Sequence, residues 1–184
     1  DSKLYVGNWY GQSDSNIYAF DKTTLAFDYA VTEANTECGG GLSLNDTLYV
    51  GQKIKGTIDG CAPFQCFSDT MGSILVTDAV TGTYVRTIDL GVSGSGISQI
   101  YNEGNYLFAV CPDANKIIKV EIGTDSIIEE VSLAPFTQSL DLVGTKLYLD
   151  LNGKAGYYDL ADGSNSFGAL DLTGTALAYD ANTE

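Results

Sequence analysis

One strand motif returns four times along this chain, and that recurrence constrains the fold more than any other feature. Lys3-Leu4-Tyr5-Val6-Gly7 is echoed by Thr47-Leu48-Tyr49-Val50-Gly51, Tyr106-Leu107-Phe108-Ala109-Val110 and Lys146-Leu147-Tyr148-Leu149-Asp150. A polar turn follows each, then a second apolar run: Ile17-Tyr18-Ala19-Phe20-Asp21, Ile74-Leu75-Val76-Thr77-Asp78, Ile117-Ile118-Lys119-Val120-Glu121 and Gly156-Tyr157-Tyr158-Asp159. A tight turn leads to a third strand over 25–31, 84–90, 127–133 and 167–172. A small-residue loop then leads to a short fourth one over 41–44, 97–101, 139–142 and 176–179. The repeats run over about 3–45, 46–103, 104–144 and 145–184, the second lengthened by an insertion spanning 52–72.

Four short strands per roughly 40 residues, separated by turn residues, is the signature of a β-propeller blade. The second strands are apolar on both sides of the pleat, as in Ile117-Ile118 and Leu75-Val76. A sheet sandwiched between two neighbours needs that pattern, whereas a two-layer β-sandwich keeps one wet face per sheet and shows cleaner alternation. The 12 Tyr, 7 Phe and 21 Gly against only 3 Pro fit strands and turns. The expectation is an all-β chain, a single domain over 1–184, built as a propeller of four four-stranded blades, closed alone or part of a larger ring.

The runs LYVG…NIYAFD and LYVG…SILVTDAVTGTYVRTIDLG resemble the YVTN/YncE-like propeller repeats of surface and periplasmic proteins. The second repeat is the most similar; the fourth departs, with Gly156-Tyr157-Tyr158 where Val-Ile is usual. Function in that family is diverse, so the resemblance implies fold more than activity. It also implies that the short strand lies innermost and the Leu-Tyr-Val strand second. This chain would then begin on a second strand and end on an innermost one, so that Ala176–Tyr179 completes the first blade and removes two sheet edges.

Charge and residue inventory exclude several classes. Nine Lys and Arg against 24 Asp and Glu give −15, which opposes nucleic-acid or anionic-membrane partners. No histidine is present, which removes Ser-His-Asp and Cys-His catalysis and His-ligated zinc. No run approaches the roughly 20 apolar residues of a membrane-spanning helix. The first residue is Asp1, which reads as a processed chain or a stretch of a longer one. Four cysteines without a CxxC pair suggest two disulfides and an oxidising location: extracellular, cell surface or periplasmic. Three connectivities are open, as is the alternative of four buried free thiols. Cys61 with Cys66 is the first pair expected, and Cys38 with Cys111 would then tie adjacent blades. Asn45-Asp46-Thr47 is a glycosylation acceptor pattern.

The repeated carboxylates Asp21, Asp78, Glu121 and Asp159 end strands. They read as acceptors for the N–H groups of the following turn rather than as an ion site, because equivalent positions in different blades lie far apart. The loops between first and second runs (8–16, 52–72, 112–116 and 152–155) would share one face with the connections between blades. That face gathers Trp9, Tyr10, Phe64, Phe67 and Phe136, with Asp113 and Asn115 beside them. Aromatic side chains on a polar loop surface are how proteins and sugars are gripped. Asp14, Asp69 and Asp113 offer oxygen ligands, but their spacing matches no calcium loop, so no cofactor is expected. The functional expectation is a non-enzymatic extracellular or cell-surface module that binds protein or carbohydrate through this disulfide-stapled face. A structural subunit of an extracellular filament or surface array, hence a homo-oligomer or polymer, is the alternative. A calcium-dependent propeller hydrolase or lyase is a third reading.

Overall fold

The structure is a computed structural model and describes residues 2–7, 16–32, 36–55, 58–59, 66–67, 71–93, 96–134, 137–151 and 154–171. The described residues are all-β, with no helix among them. The chain divides into two compact units, Asp1–Ile100 and Tyr101–Glu184.

The first unit holds two antiparallel meanders. Strands β1 (Lys3–Gly7), β2 (Asn16–Asp21) and β3 (Phe27–Thr32) form a three-stranded sheet in chain order. Strands β4 (Thr36–Leu44), β5 (Thr47–Lys55), β8 (Met71–Asp78) and β9 (Tyr84–Ser93) form a four-stranded one. Between β5 and β8 the insertion carries a two-stranded ladder of β6 (Ile58–Asp59) and β7 (Cys66–Phe67). The core of this unit is the face-to-face packing of Ile17 and Val31 on the first sheet with Leu48, Val50, Leu75 and Ala79 on the second.

A third sheet orders β10 (Gln99–Glu103), β11 (Tyr106–Cys111), β12 (Lys116–Glu121) and β13 (Ile127–Ser132), the unit boundary falling inside β10. The fourth orders β14 (Thr137–Val143), β15 (Lys146–Leu151), β16 (Lys154–Asp159) and β17 (Asn165–Asp171). Phe108, Val110 and Ile117 pack there against Leu147, Leu149 and Tyr158. Central strands are buried on both sides of the pleat: Leu107 through Cys111 are all fully buried, as are Ile117 and Ile118. An apolar strand without alternation is thus explained by burial of both faces.

One hairpin connection is built the same way four times. The residue after each strand-ending carboxylate donates its N–H, at 2.8 Å, to the carbonyl of the residue just ahead of the Leu-Tyr-Val strand: Lys22 to Ser2, Ala79 to Asp46, Ile122 to Asn105 and Leu160 to Thr145. The fourth residue past the carboxylate returns its N–H to that residue's carbonyl, and must take positive φ to do so: Leu25 (56°), Gly82 (74°), Asp125 (56°) and Gly163 (75°). The carboxylates act as the sequence suggests. Asp21 accepts from the Thr23 and Thr24 N–H groups at 3.0 and 2.7 Å, and Asp78 from Val80 and Thr81 at 2.9 and 2.7 Å. Asp159 accepts from Ala161 N–H at 3.1 Å, while the longer Glu121 takes the Thr124 hydroxyl at 2.7 Å.

Some boundaries differ from the sequence expectation. Cys38-Gly39-Gly40 reads as the end of a loop ahead of the strand over 41–44, yet it lies within β4, which pairs with β5 through irregular register, Cys38 opposite Gln52 and Gly41 opposite Val50. Gly40 is there because the chain returns against it: a Cβ would lie 2.8 Å from the Gln99 α-carbon.

Candidate functional site

The expected loop face is described only in part. Trp9, Tyr10, Phe64, Phe136 and Cys61 lie outside the described residues, as does the expected closing strand Ala176–Tyr179. Phe67 and Cys66 form β7, with Ile58 opposite Phe67 and Asp59 opposite Cys66, so the insertion has a ladder of its own. Among the described residues it rises from the longest central strands, β5 with 9 residues and β8 with 8, where β11 and β12 have 6 each. Asp113 is exposed in the turn Pro112–Asn115, which closes through Asn115 N–H on the Pro112 carbonyl at 3.0 Å. Asn115 sits at φ 53° and its carbonyl accepts Leu133 N–H at 2.7 Å, so this residue shapes the turn. Asn tolerates that conformation better than most side chains.

Cys111 corrects one expectation. It is a free thiol, fully buried at the end of β11, and is not bridged to Cys38. Burial pushes its pKa up to about 12, which keeps it protonated and unreactive at neutral pH. The reason is position: Cys111 falls inside the buried strand, not in the exposed turn that begins with Pro112. Asn45 is exposed with Asp46 in the two-residue hairpin between β4 and β5, both at positive φ (48° and 58°), the geometry of a type I′ turn.

Two features had no signal in the sequence. Tyr5 and Tyr29, from β1 and β3, both donate their hydroxyls to the Ala79 carbonyl, Tyr5 at 3.0 Å. They pin the first sheet to the first turn residue after β8. Burial, with the neighbouring Tyr5, raises the Tyr29 pKa well above the ordinary tyrosine range. Nearby, a cavity of about 130 Å³ opens between the two sheets of the first unit. Tyr5, Gly7 and Ile17 line it from the first sheet, and Gly41, Leu48 and Val50 from the second. It lies at β1, the edge strand of the three-stranded sheet, where Leu4 and Val6 on the opposite face are 45% and 46% exposed. Among the described residues no group of three or more Cys, Asp or Glu is placed to hold a metal ion.

No protein-family model and no curated protein matches the chain. Solved structures do match in fold. The computationally designed Ika8 protein aligns at TM-score 0.62 with 17% identity, over 99% of this chain and 51% of that one. A chain of the mitotic checkpoint complex aligns at 0.64 with 13% identity, over 90% and 47%. The designed Ika4 protein aligns at 0.56 with 14% identity, over 94% and 86%. The chain thus spans about half the length of the first two, and at these identities the likeness is one of fold.

Proposed function

We propose that this protein is a β-propeller serving as a non-enzymatic extracellular or cell-surface binding module, gripping protein or carbohydrate through the loop face built around the 52–72 insertion. Repeated meander sheets whose central strands are buried on both faces support the propeller reading. In it, Ala176–Tyr179 supplies the fourth strand of the first blade. The observation that carries the binding reading is the platform itself. Among the described residues the second sheet extends β5 and β8 beyond the 6 residues of β11, β12, β15 and β16 and mounts on them a segment with its own ladder, which carries Phe64 and Phe67. Insertions of that length are common in recognition loops. A Cys61–Cys66 bridge would hold that loop closed. Absence of histidine from the sequence leaves carboxylate, Lys or Tyr chemistry only, which weighs against an enzyme.

The test is binding of the full chain to glycan and peptide arrays, followed by Trp9→Ala and Phe64→Ala. Loss of the captured ligand with an unchanged melting temperature supports the reading; unaltered binding in both variants removes it. The alternative is a subunit of an extracellular filament or surface array, docking blade edges or faces head to tail. Negative-stain images across a concentration series distinguish it from a monomeric binder.

A further inference from the structure

Among the described residues, three two-residue hairpins lead into a Leu-Tyr-Val strand, and they meet one backbone demand with different side chains. Gly104 and Gly144 hold the first turn position ahead of β11 and β15, at φ 56° and 59°. Ahead of β5 that position belongs to Asn45 at φ 48°, followed by Asp46 at 58°. Glycine adopts positive φ without steric cost, so the turn itself does not require an asparagine. Thr47 stands two residues on, and Asn45-Asp46-Thr47 is the one Asn-X-Ser/Thr triplet in the 184 residues. Asn45 and Asp46 are exposed. Their turn is held from two sides: Leu44 pairs with Thr47 across the hairpin, and the Asp46 carbonyl accepts Ala79 N–H at 2.8 Å. Asn45 is therefore presented on a fixed hairpin.

Strand β5 separates this turn from the insertion. It leaves the turn at Thr47 and runs to Lys55, and β8 returns from Met71 to Asp78, which pairs with Thr47 beside the turn. At the usual strand rise, Thr47 and Lys55 lie roughly 26 Å apart. Asn45 and the root of the insertion thus belong to opposite ends of one sheet. We infer that Asn45 is an N-glycan attachment site whose glycan covers the end of the second sheet away from the insertion; the inference rests on the extracellular reading given above. In the transfer, the Asn45 side-chain nitrogen attacks the anomeric carbon of a lipid-pyrophosphate-linked oligosaccharide. The N–C bond forms, the C–O bond to pyrophosphate breaks, the lipid pyrophosphate departs and the amide gives up one proton. Thr47 supplies the hydroxyl that completes the acceptor triplet. A bulky, hydrated glycan placed there leaves the insertion free to bind. It also obstructs a second copy from docking on the turn end, which favours the binder over a head-to-tail filament.

The test is secretion of the full chain from a eukaryotic cell behind a cleavable leader, with intact mass read before and after peptide N-glycosidase treatment. One oligosaccharide, lost in Asn45→Gly and in Thr47→Ala and retained in Thr47→Ser, is the expected result. Asn45→Gly keeps the turn, since glycine fills the same place at Gly104 and Gly144, and Thr47→Ala keeps the asparagine. Secreted, folded chains without sugar on Asn45 would overturn the site and leave the extracellular reading standing. Glycan and peptide arrays then read the placement. Equal capture by the glycosylated chain and by Thr47→Ala supports it; capture by Thr47→Ala alone would overturn it, because the sugar would be shielding the insertion. A glycosylated chain that captures nothing in either form removes the binding reading and leaves the attachment site standing.

Discussion

Tyr29 lies against the α-carbon of Gly82: a Cβ on that glycine would sit 2.5 Å from the Tyr29 ring. Gly82 also needs its positive φ of 74° to close the turn after Asp78. Two independent demands therefore meet at one position, and the tyrosine so placed also binds the Ala79 carbonyl. Gly82→Ala should cost more than the roughly 1–2 kcal/mol of the left-handed conformation alone, because the ring must shift as well. Gly123→Ala, at φ 95° with open space around it, is the control and should cost only the backbone part. Equal losses in a urea titration would show that Tyr29 does not press on Gly82.

The Ala79 carbonyl accepts from two tyrosines, so removing one hydroxyl leaves it satisfied by the other. Tyr5→Phe and Tyr29→Phe should each cost about 1 kcal/mol, and the double variant should cost more than their sum. Additive losses in the double-mutant cycle would deny the shared acceptor. The raised pKa of Tyr29 gives this pair an alkaline signature. Its stabilisation is complete below the ordinary tyrosine value of 10.0 and falls as pH rises above it. Tyr29→Phe should flatten that alkaline decline.

Asp21 and Asp78 are held below their ordinary value of 3.8, first by the N–H groups of Thr24 and Thr81 respectively and then by the hydroxyls of the same threonines. A depressed carboxylate stabilises the fold above its unfolded pKa, and that contribution fades as pH falls through the folded value. Melting temperature should therefore drop as pH is lowered from about 4. Asp21→Asn with Asp78→Asn should reduce the slope below pH 4 relative to the parent. An identical slope would mean that these turns do not couple to acid stability.

Leu25 occupies the position that Gly82 and Gly163 fill in other repeats, at φ 56° and 63% exposed. A branched side chain there is strained and buries little. Leu25→Gly should stabilise by about 0.5–1 kcal/mol, the relieved strain outweighing the added freedom of the unfolded chain. A lower melting temperature would show that the exposed leucine has a contact worth more than the strain.

These four turns also show what the sequence makes legible. The acid ending each second strand marks its turn, because a carboxylate at that spacing reaches the next N–H groups whatever the tertiary packing. The left-handed residue that follows is legible at Gly82 and Gly163 but hidden at Leu25 and Asp125, where the hairpin imposes a conformation the side chain does not favour. Central strands such as Ile117–Val120 announce burial on both faces by lacking alternation. Gly39 and Gly40 after Cys38 look like a loop because propensity is local, whereas pairing with β5 is not. Tyr5 and Tyr29 look like ordinary core aromatics; their common acceptor becomes visible only when the two sheets face each other. Cys111 reads as a loop-edge cysteine, and only the extent of β11 shows it to be buried.

As a buried thiol pushed up to about 12, Cys111 should resist iodoacetamide at pH 8 in the native chain and label fully in denaturant. Rapid native labelling, or its recovery in a disulfide-linked peptide with Cys38, would contradict the free, buried thiol.

The propeller itself is tested most directly by an electron-density map of the full chain at a resolution that traces each strand. The account predicts four successive meanders arranged about one axis, with β1 second from that axis in its sheet and the 176–179 segment beside it. Two sheets facing each other as a closed sandwich, or β1 left as the innermost strand, would contradict it.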